Sequence, residues 1–266
     1  MYKQIFDIKP MHGIDIPLSN ALLRKYSEGA YKALHTTNYD QSREKLDFEI
    51  VTGGKIIPLN KNYNIPARMA DILKKREIQD PNERWYKAKL PVGRPRYRTI
   101  ASIIIGGTAE RMRELAFGNQ LVNYEIESDM DNSLVKRQKT IENWAVDVYN
   151  YIAKEFGEEN ILSFIVHLDE KNPHVHCMII PISECNKISW KSVFGGNKSE
   201  SISRFRHLND SFALVSKKYG MTRGEDIKRT GASHKDYYTY LKEENRKLKE
   251  ENKLLKEKLQ RLNVKG

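Results

Sequence analysis

Apolar positions along this chain recur with two periods. Runs rich in β-branched residues predict strands at Ile5 to Ile8, Leu46 to Val51 and Arg98 to Ile105. Spacings of three and four predict helices over Leu18 to Leu34, Ala67 to Lys75, about 134 to 156, and about Ser201 to Tyr219. The first helix opens at Ser19 or Asn20 and puts Leu18, Leu22, Tyr26, Ala30 and Leu34 on one stripe. Two more apolar runs, Phe164 to Leu168 and Val175 to Ile180, bracket Asp169-Glu170-Lys171-Asn172-Pro173, whose residues favour turns, so this segment predicts a β-hairpin. Gly106-Gly107 and Gly195-Gly196 lack nucleotide-loop spacing and read as turns. Strands and helices mix without regular βα alternation. An α+β sandwich follows, an antiparallel sheet with helices mainly on one face.

The pattern changes near the C-terminus. Leu241, Leu248, Leu255 and Leu262 recur every seven residues, and Tyr238, Asn245, Asn252 and Leu259 fill the companion heptad positions. A coiled-coil helix over 237–266 follows, joined by a linker at 226–236 to a globular domain of residues 1–225. Asparagines in the seam favour a defined register, so the helix predicts homodimerisation.

The hairpin carries the chemistry. If His167 pairs with His174, both side chains point to one face, and the two-residue period adds His176. Phe164, Val166, Leu168, Val175 and Cys177 then face the core. Three neutral imidazoles leave positions open on a divalent ion, as where a metal must also hold a substrate oxygen. Imidazole donors suit Mn, Zn, Co or Ni better than Ca, and ligand type leaves the choice among them open. No His-Glu-x-x-His occurs, which excludes a zincin.

Charge narrows the partner. The formal net charge is +11. Residues 231–266 hold ten Lys/Arg and six Asp/Glu, so the preceding part carries the remaining +7 and is basic by itself. Arg94-Pro95-Arg96-Tyr97-Arg98 interleaves guanidinium groups with an aromatic ring, which suits phosphate contact and base stacking. No signal peptide or membrane-spanning run is visible, and Cys177 and Cys185 are too few for a disulfide framework, which predicts a cytoplasmic protein without membrane insertion.

His167-x-Asp169-Glu170-x-x-Pro173-His174-x-His176 resembles the third motif of the Mob/Pre (MobV-type) plasmid mobilisation relaxases of the HUH endonuclease superfamily, with His174-Val175-His176 as the HUH element. Ser42-Arg43 before Leu46-Asp47-Phe48-Glu49 resembles the second motif, and Arg98-Thr99-Ile100-Ala101 the family's basic approach to a strand. The resemblance covers about residues 1 to 220. It implies a ferredoxin-like antiparallel sheet and metal-dependent nicking and rejoining of one DNA strand, single-stranded or hairpin, at a transfer origin through a covalent protein–5′-phosphate intermediate. It further implies that His167, His174 and His176 bind metal, that Glu170 is a supporting or proton-accepting group, and that conjugation machinery is a partner. The family's nucleophile, a tyrosine or histidine in a pattern resembling His-x-Glu-Arg, falls at Tyr26-Ser27-Glu28-Gly29. Tyr26 is the first candidate, followed by Tyr31 and His35. Gly29 stands where the family carries Arg, and Arg24, Lys25 or Arg43 could supply that charge. Arg43, Arg94, Arg96 and Arg98 are the expected DNA contacts. Two other readings stay open: a rolling-circle replication initiator with the same chemistry, and an origin-binding dimer that does not nick.

Overall fold

A computed structural model describes residues 1–27, 29, 39–84, 95–124, 131–224, 246, 249, 250, 252 and 253. The chain divides into two units, Met1–Gly224 and Glu225–Gly266. In the second, Arg246, Lys249, Glu250, Asn252 and Lys253 have helical backbone and exposed side chains. The other heptad residues lie outside the described ones, as does the 226–236 segment.

The first unit is built on one seven-stranded sheet. Its strands are β1 (Tyr2–Met11), β2 (Phe48–Val51), β3 (Lys55–Ile57), β4 (Ile100–Gly107), β5 (Ile161–His167), β6 (His174–Ile179) and β7 (Met221–Thr222). They lie in the order β3-β2-β5-β6-β4-β1-β7, antiparallel throughout except for β1 and β7. The histidine hairpin is therefore central. Both its strands are paired on each side, which fixes where their side chains point.

Six helices are described: α1 (Ile16–Leu22), α2 (Ile65–Lys75), α3 (Ala109–Phe117), α4 (Lys139–Phe156), α5 (Trp190–Phe194) and α6 (Lys198–Lys217). On one sheet face Phe164, Val166, Val175, Cys177, Ala101, Ile103 and Ile105 meet α3, α4 and α6, with Trp144, Val148 and Phe212 fully buried. The opposite face is not bare, contrary to the one-sided expectation. Ile100, Ile165 and Met178 meet Leu22 and Leu23 around α1 and Met69 and Leu73 of α2 in a second core. Both faces of β5 are thus apolar, which is why its sequence reads as a continuous run rather than an alternation.

Element ends have local causes. Asp15 caps α1, its carboxylate accepting from Leu18 N at 2.9 Å, and Asn64 caps α2 the same way at Ala67 N. Gly157, at φ +84°, stops α4 and turns the chain toward β5, a left-handed conformation that costs glycine little. Helix α1 stops at Leu22, far short of the expected Leu34, because Arg24 takes φ +52° and turns inward. Tyr26 accordingly lies beyond the helix and not on its stripe.

Glu49 of β2 points away from the main core and meets Arg68 of α2 at 2.9 Å, both side chains almost wholly buried. Removing one member strands the other charge, so Glu49→Ala should destabilise the domain by about 3–5 kcal/mol in urea unfolding. Glu49→Leu combined with Arg68→Met should recover most of that loss. Equal losses in the two variants would disprove this account.

Candidate metal centre

The register of β5 and β6 pairs His167 with His174, and β4 sets Ile104 beside His176. All three imidazoles therefore share one face at the hairpin's turn end. His167, His174, His176 and Glu170 bring their ligand atoms within 4.8 Å of one another.

Each hydrogen bond at the edge of this cluster orients a ring. His174 Nδ1–H donates to the Asn172 carbonyl at 2.8 Å, which leaves Nε2 as a lone pair, and that Nε2 lies 2.8 Å from His176 Nε2. His167 Nε2–H donates to the Leu22 carbonyl at 2.9 Å, so its Nδ1 is the lone pair. That Nδ1 is buried, has no hydrogen-bond partner, and lies 3.6 Å from Glu170 Oε1. A buried acceptor without a donor, aimed at two more imidazole nitrogens and a carboxylate, fits a divalent cation. The donor set of three nitrogens and one oxygen suits a transition metal better than Ca.

Charged side chains behind the imidazoles hold the turn. Arg24 grips Asp169 with both ends of its fork, Nε to Oδ2 at 2.8 Å and Nη2 to Oδ1 at 2.7 Å, and Nη2 also reaches Glu170 Oε1 at 2.7 Å. Asp47, 3.6 Å from Arg24, accepts the Leu168 and Asp169 amides with one oxygen at 2.6 and 3.1 Å. Burial pushes the Asp47 and Asp169 carboxyls above their usual range, and the Arg24 guanidinium opposes that shift in both. Arg43 donates to the carbonyls of Leu168 at 2.7 Å and Asp169 at 3.1 Å, and its Nε reaches Asp40 at 2.8 Å.

Arg43 is thus a correction. Expected to touch DNA, it is only 2% exposed and braces the His167–Glu170 backbone from behind. Arg96 and Arg98 are exposed, and Arg98 lies over the Trp190 ring. Both precede β4 at its far end, and Arg98 is six residues from the partner of His176, about 20 Å along a strand. They are not brought to the histidines. Arg94, Tyr31 and His35 lie outside the described residues.

Tyr26 is brought close. Its ring stacks on Tyr39 at 6.0 Å, Tyr39 bridges to Glu170, and Arg24 sits 5.0 Å over the Tyr39 ring. The half-buried Tyr26 phenol is raised by burial, and the Arg24 guanidinium works against that. Arg24, expected only as a possible phosphate charge, and Asp47, expected only within its motif, both hold the turn instead. An arginine beside an apolar helix end and an aspartate just before a buried strand were the available signals.

Burial, Arg24 and the neighbouring rings hold His167 well below the usual imidazole range, and burial with His174 lowers His176 to about 3. Both are neutral in the fold and protonate more readily when unfolded. The stability they contribute is complete above about pH 6.5 and is lost as pH falls toward 3. In chelator, the unfolding free energy of the parent should therefore fall across that window more steeply than that of His176→Gln, by up to ~1.4 kcal/mol per pH unit. Parallel urea-midpoint profiles would refute the assignment.

The plasmid recombination enzyme family, Mob_Pre, matches residues 118–242, a stretch that contains the whole hairpin. Plasmid recombination enzyme type 3 of Staphylococcus aureus is 32% identical over 90 residues, 34% of this chain and 21% of that protein. Type 1 from the same species is 33% identical over 105 residues, 39% of this chain and 25% of that protein. The chain therefore spans about a quarter or less of the length of these curated relatives. Among solved structures, a Mn-bound MobM relaxase domain (MOBV; Mob_Pre) bound to plasmid pMV158 oriT DNA matches with TM-score 0.60 at 16% identity, covering 90% of this chain and 98% of that one. A second structure of that domain with oriT DNA gives 0.58. Residues 118–242 match the Mob/Pre family of plasmid recombination enzymes, and the chain shares the fold of the MobM relaxase domain.

Proposed function

We propose that this protein is a relaxase that nicks and rejoins one DNA strand at a transfer origin and so starts mobilisation of a plasmid or mobilisable element. The observation that carries the reading is the convergence of His167 Nδ1, His174 Nε2 and His176 Nε2 with Glu170, in the segment that matches plasmid recombination enzymes. The Mn-bound, oriT-bound state of the similar MobM domain supports both metal and substrate.

His167, His174 and His176 hold the ion, Mn²⁺ or Mg²⁺ ahead of Zn, Co or Ni, with Glu170 as a fourth ligand or proton acceptor. The ion, when bound, draws charge from the scissile phosphate. Tyr26 is the nucleophile: its phenolic oxygen bonds to phosphorus, the P–O3′ bond breaks, the 3′-oxygen leaves, and the phenol's proton passes to a carboxylate, with Glu170 as the candidate. Exchanging one phosphodiester for another keeps the bond energy for rejoining. Arg24 favours the charged phenol and keeps Glu170 turned toward the cluster. Arg94, Arg96 and Arg98 contact DNA away from the cut.

The finer architecture belongs to the same reading. The central antiparallel strands support a ferredoxin-like HUH sheet over residues 1–225, followed by a linker at 226–236 and a dimerising coiled coil at 237–266. Conjugation machinery is the partner that mobilisation requires. None of the helices among the described residues is long and apolar enough to cross a membrane.

His174→Ala and His176→Ala should each abolish Mn²⁺-dependent nicking of supercoiled plasmid carrying the element's own origin while leaving duplex binding largely intact. Normal nicking by both would refute the metal site. Peptide mapping of the DNA-linked residue should find Tyr26, and its absence from the adduct would move the nucleophile to Tyr31 or His35. Truncation after Gly231 should halve the mass seen by light scattering, and an unchanged mass would remove the coiled-coil dimer.

A further inference from the structure

Strand register carries the histidine face outward onto β4 and β1. Asp7 pairs with Ile104, which pairs with His176 on its other side. Ile5 pairs with Gly106, and a Cβ on Gly106 would stand 3.4 Å from His174 Cβ, so that position looks onto the same face. Phe6 and Ile105, which alternate with these residues, turn into the main core. Two rows therefore cross the sheet through the imidazoles, Asp7–Ile104–His176 and Ile5–Gly106–His174.

This face is closed over β5 and over the far end of β1 and β4, where Ile165, Met178, Ile100 and Met11 pack with α1 and α2 in the second core. Beside the histidines it is open. Ile5 is 42% exposed, Ile104 belongs to neither core, and the exposed Asp7 and Lys9 side chains lie 3.3 Å apart. Lys3, Asp7 and Lys9 are all the charged residues of β1, and β4 has none. The two rows thus end in a shelf of two isoleucines, a bare glycine and one carboxylate.

We infer that this shelf seats the base of a nucleotide flanking the scissile phosphate, and that Asp7 selects guanine there. The inference rests on the DNA reading of the metal centre. From a phosphate held at the imidazoles, Ile104 is one strand away, about 4.8 Å, and Asp7 two, about 10 Å. A base joined through its sugar to that phosphate covers this span, its plane on the isoleucines and its pairing edge toward Asp7. The carboxylate repels phosphate, which turns the backbone away from it, and it only accepts hydrogen bonds, so the base must donate. Guanine brings two parallel donors, N1–H and the N2 amino group, to the two carboxylate oxygens, whereas thymine flanks its one N–H with two carbonyls. An exposed ion pair such as Asp7–Lys9 contributes little, so a base can displace it.

The test is equilibrium binding by the full chain, in Mn²⁺, of thymidylate 15-mers left plain or carrying one central guanine, hypoxanthine, adenine or cytosine. These carry no transfer origin and are bound without being cut. The guanine oligonucleotide should bind about tenfold tighter than plain thymidylate, with hypoxanthine, which lacks the N2 amino group, in between. Asp7→Asn should erase the guanine advantage, and Ile5→Ser should weaken all five about threefold. Both positions are exposed, so the variants fold. Equal binding of all five by the parent, binding of none, or a stronger preference for another base overturns the inference. So does an Asp7→Asn variant that binds every oligonucleotide more tightly by one factor, because Asp7 would then only repel the strand. An Ile5→Ser variant that binds DNA as the parent does also overturns it, and loss of self-association in that variant would give the shelf to a second copy. Base preference is read without cleavage: its absence from a protein that nicks leaves the relaxase reading standing, and normal nicking by His174→Ala and His176→Ala would sink the metal site without touching the preference.

Discussion

The fork of Arg24 on Asp169, Glu170 and Asp47 is the interaction on which the site depends. Asp47 and Asp169 are sunk into the protein beside the histidines, where an unpaired charge would be costly, and one buried guanidinium offsets them, hydrogen-bonded to Asp169 and 3.6 Å from Asp47. To deliver it, the chain gives up a helix, taking a left-handed residue at Arg24 instead of continuing past Leu22. The same side chain then sets the position of Glu170 and the surroundings of Tyr26. Ligand, nucleophile candidate and helix end are consequences of one ion cluster.

Around that cluster the sheet supplies rigidity. β5 and β6 are each paired on both edges and packed on both faces, so the three histidines cannot slip register without moving two cores. The turn between them has no regular hydrogen bonding of its own. It is held by Arg43 from behind and Asp47 from below, side chains that come from the short stretch before β2. That division explains the motif spacing: Ser42-Arg43 and Leu46-Asp47 recur near the histidine motif in space because their polar groups complete its backbone.

The sequence was most legible where period and chemistry coincide. The hairpin register, the residues it turns to the main core and the shared opposite face of its three histidines follow from a two-residue alternation around a turn, and the structure has each of them in place. The long helices were visible for the same reason. The strand β3, the helices α3 and α5 and the two-residue β7 were not, because short elements leave too few residues to display a period and owe their form to what they lie against.

Sequence alone therefore determined the chemistry: a basic chain, an imidazole triad on a strand pair, and a motif order resembling mobilisation relaxases. Only the tertiary structure decided which arginine does what. Arg24, Arg43 and Arg98 are indistinguishable as residues in a string, yet one neutralises buried carboxylates, one ties down a turn and one lies exposed over the Trp190 ring before β4. A guanidinium's role is set by the charges and carbonyls around it, and those arrive from segments more than a hundred residues distant. Pattern along a chain encodes which face a residue takes; the field that residue meets exists only once the chain has closed.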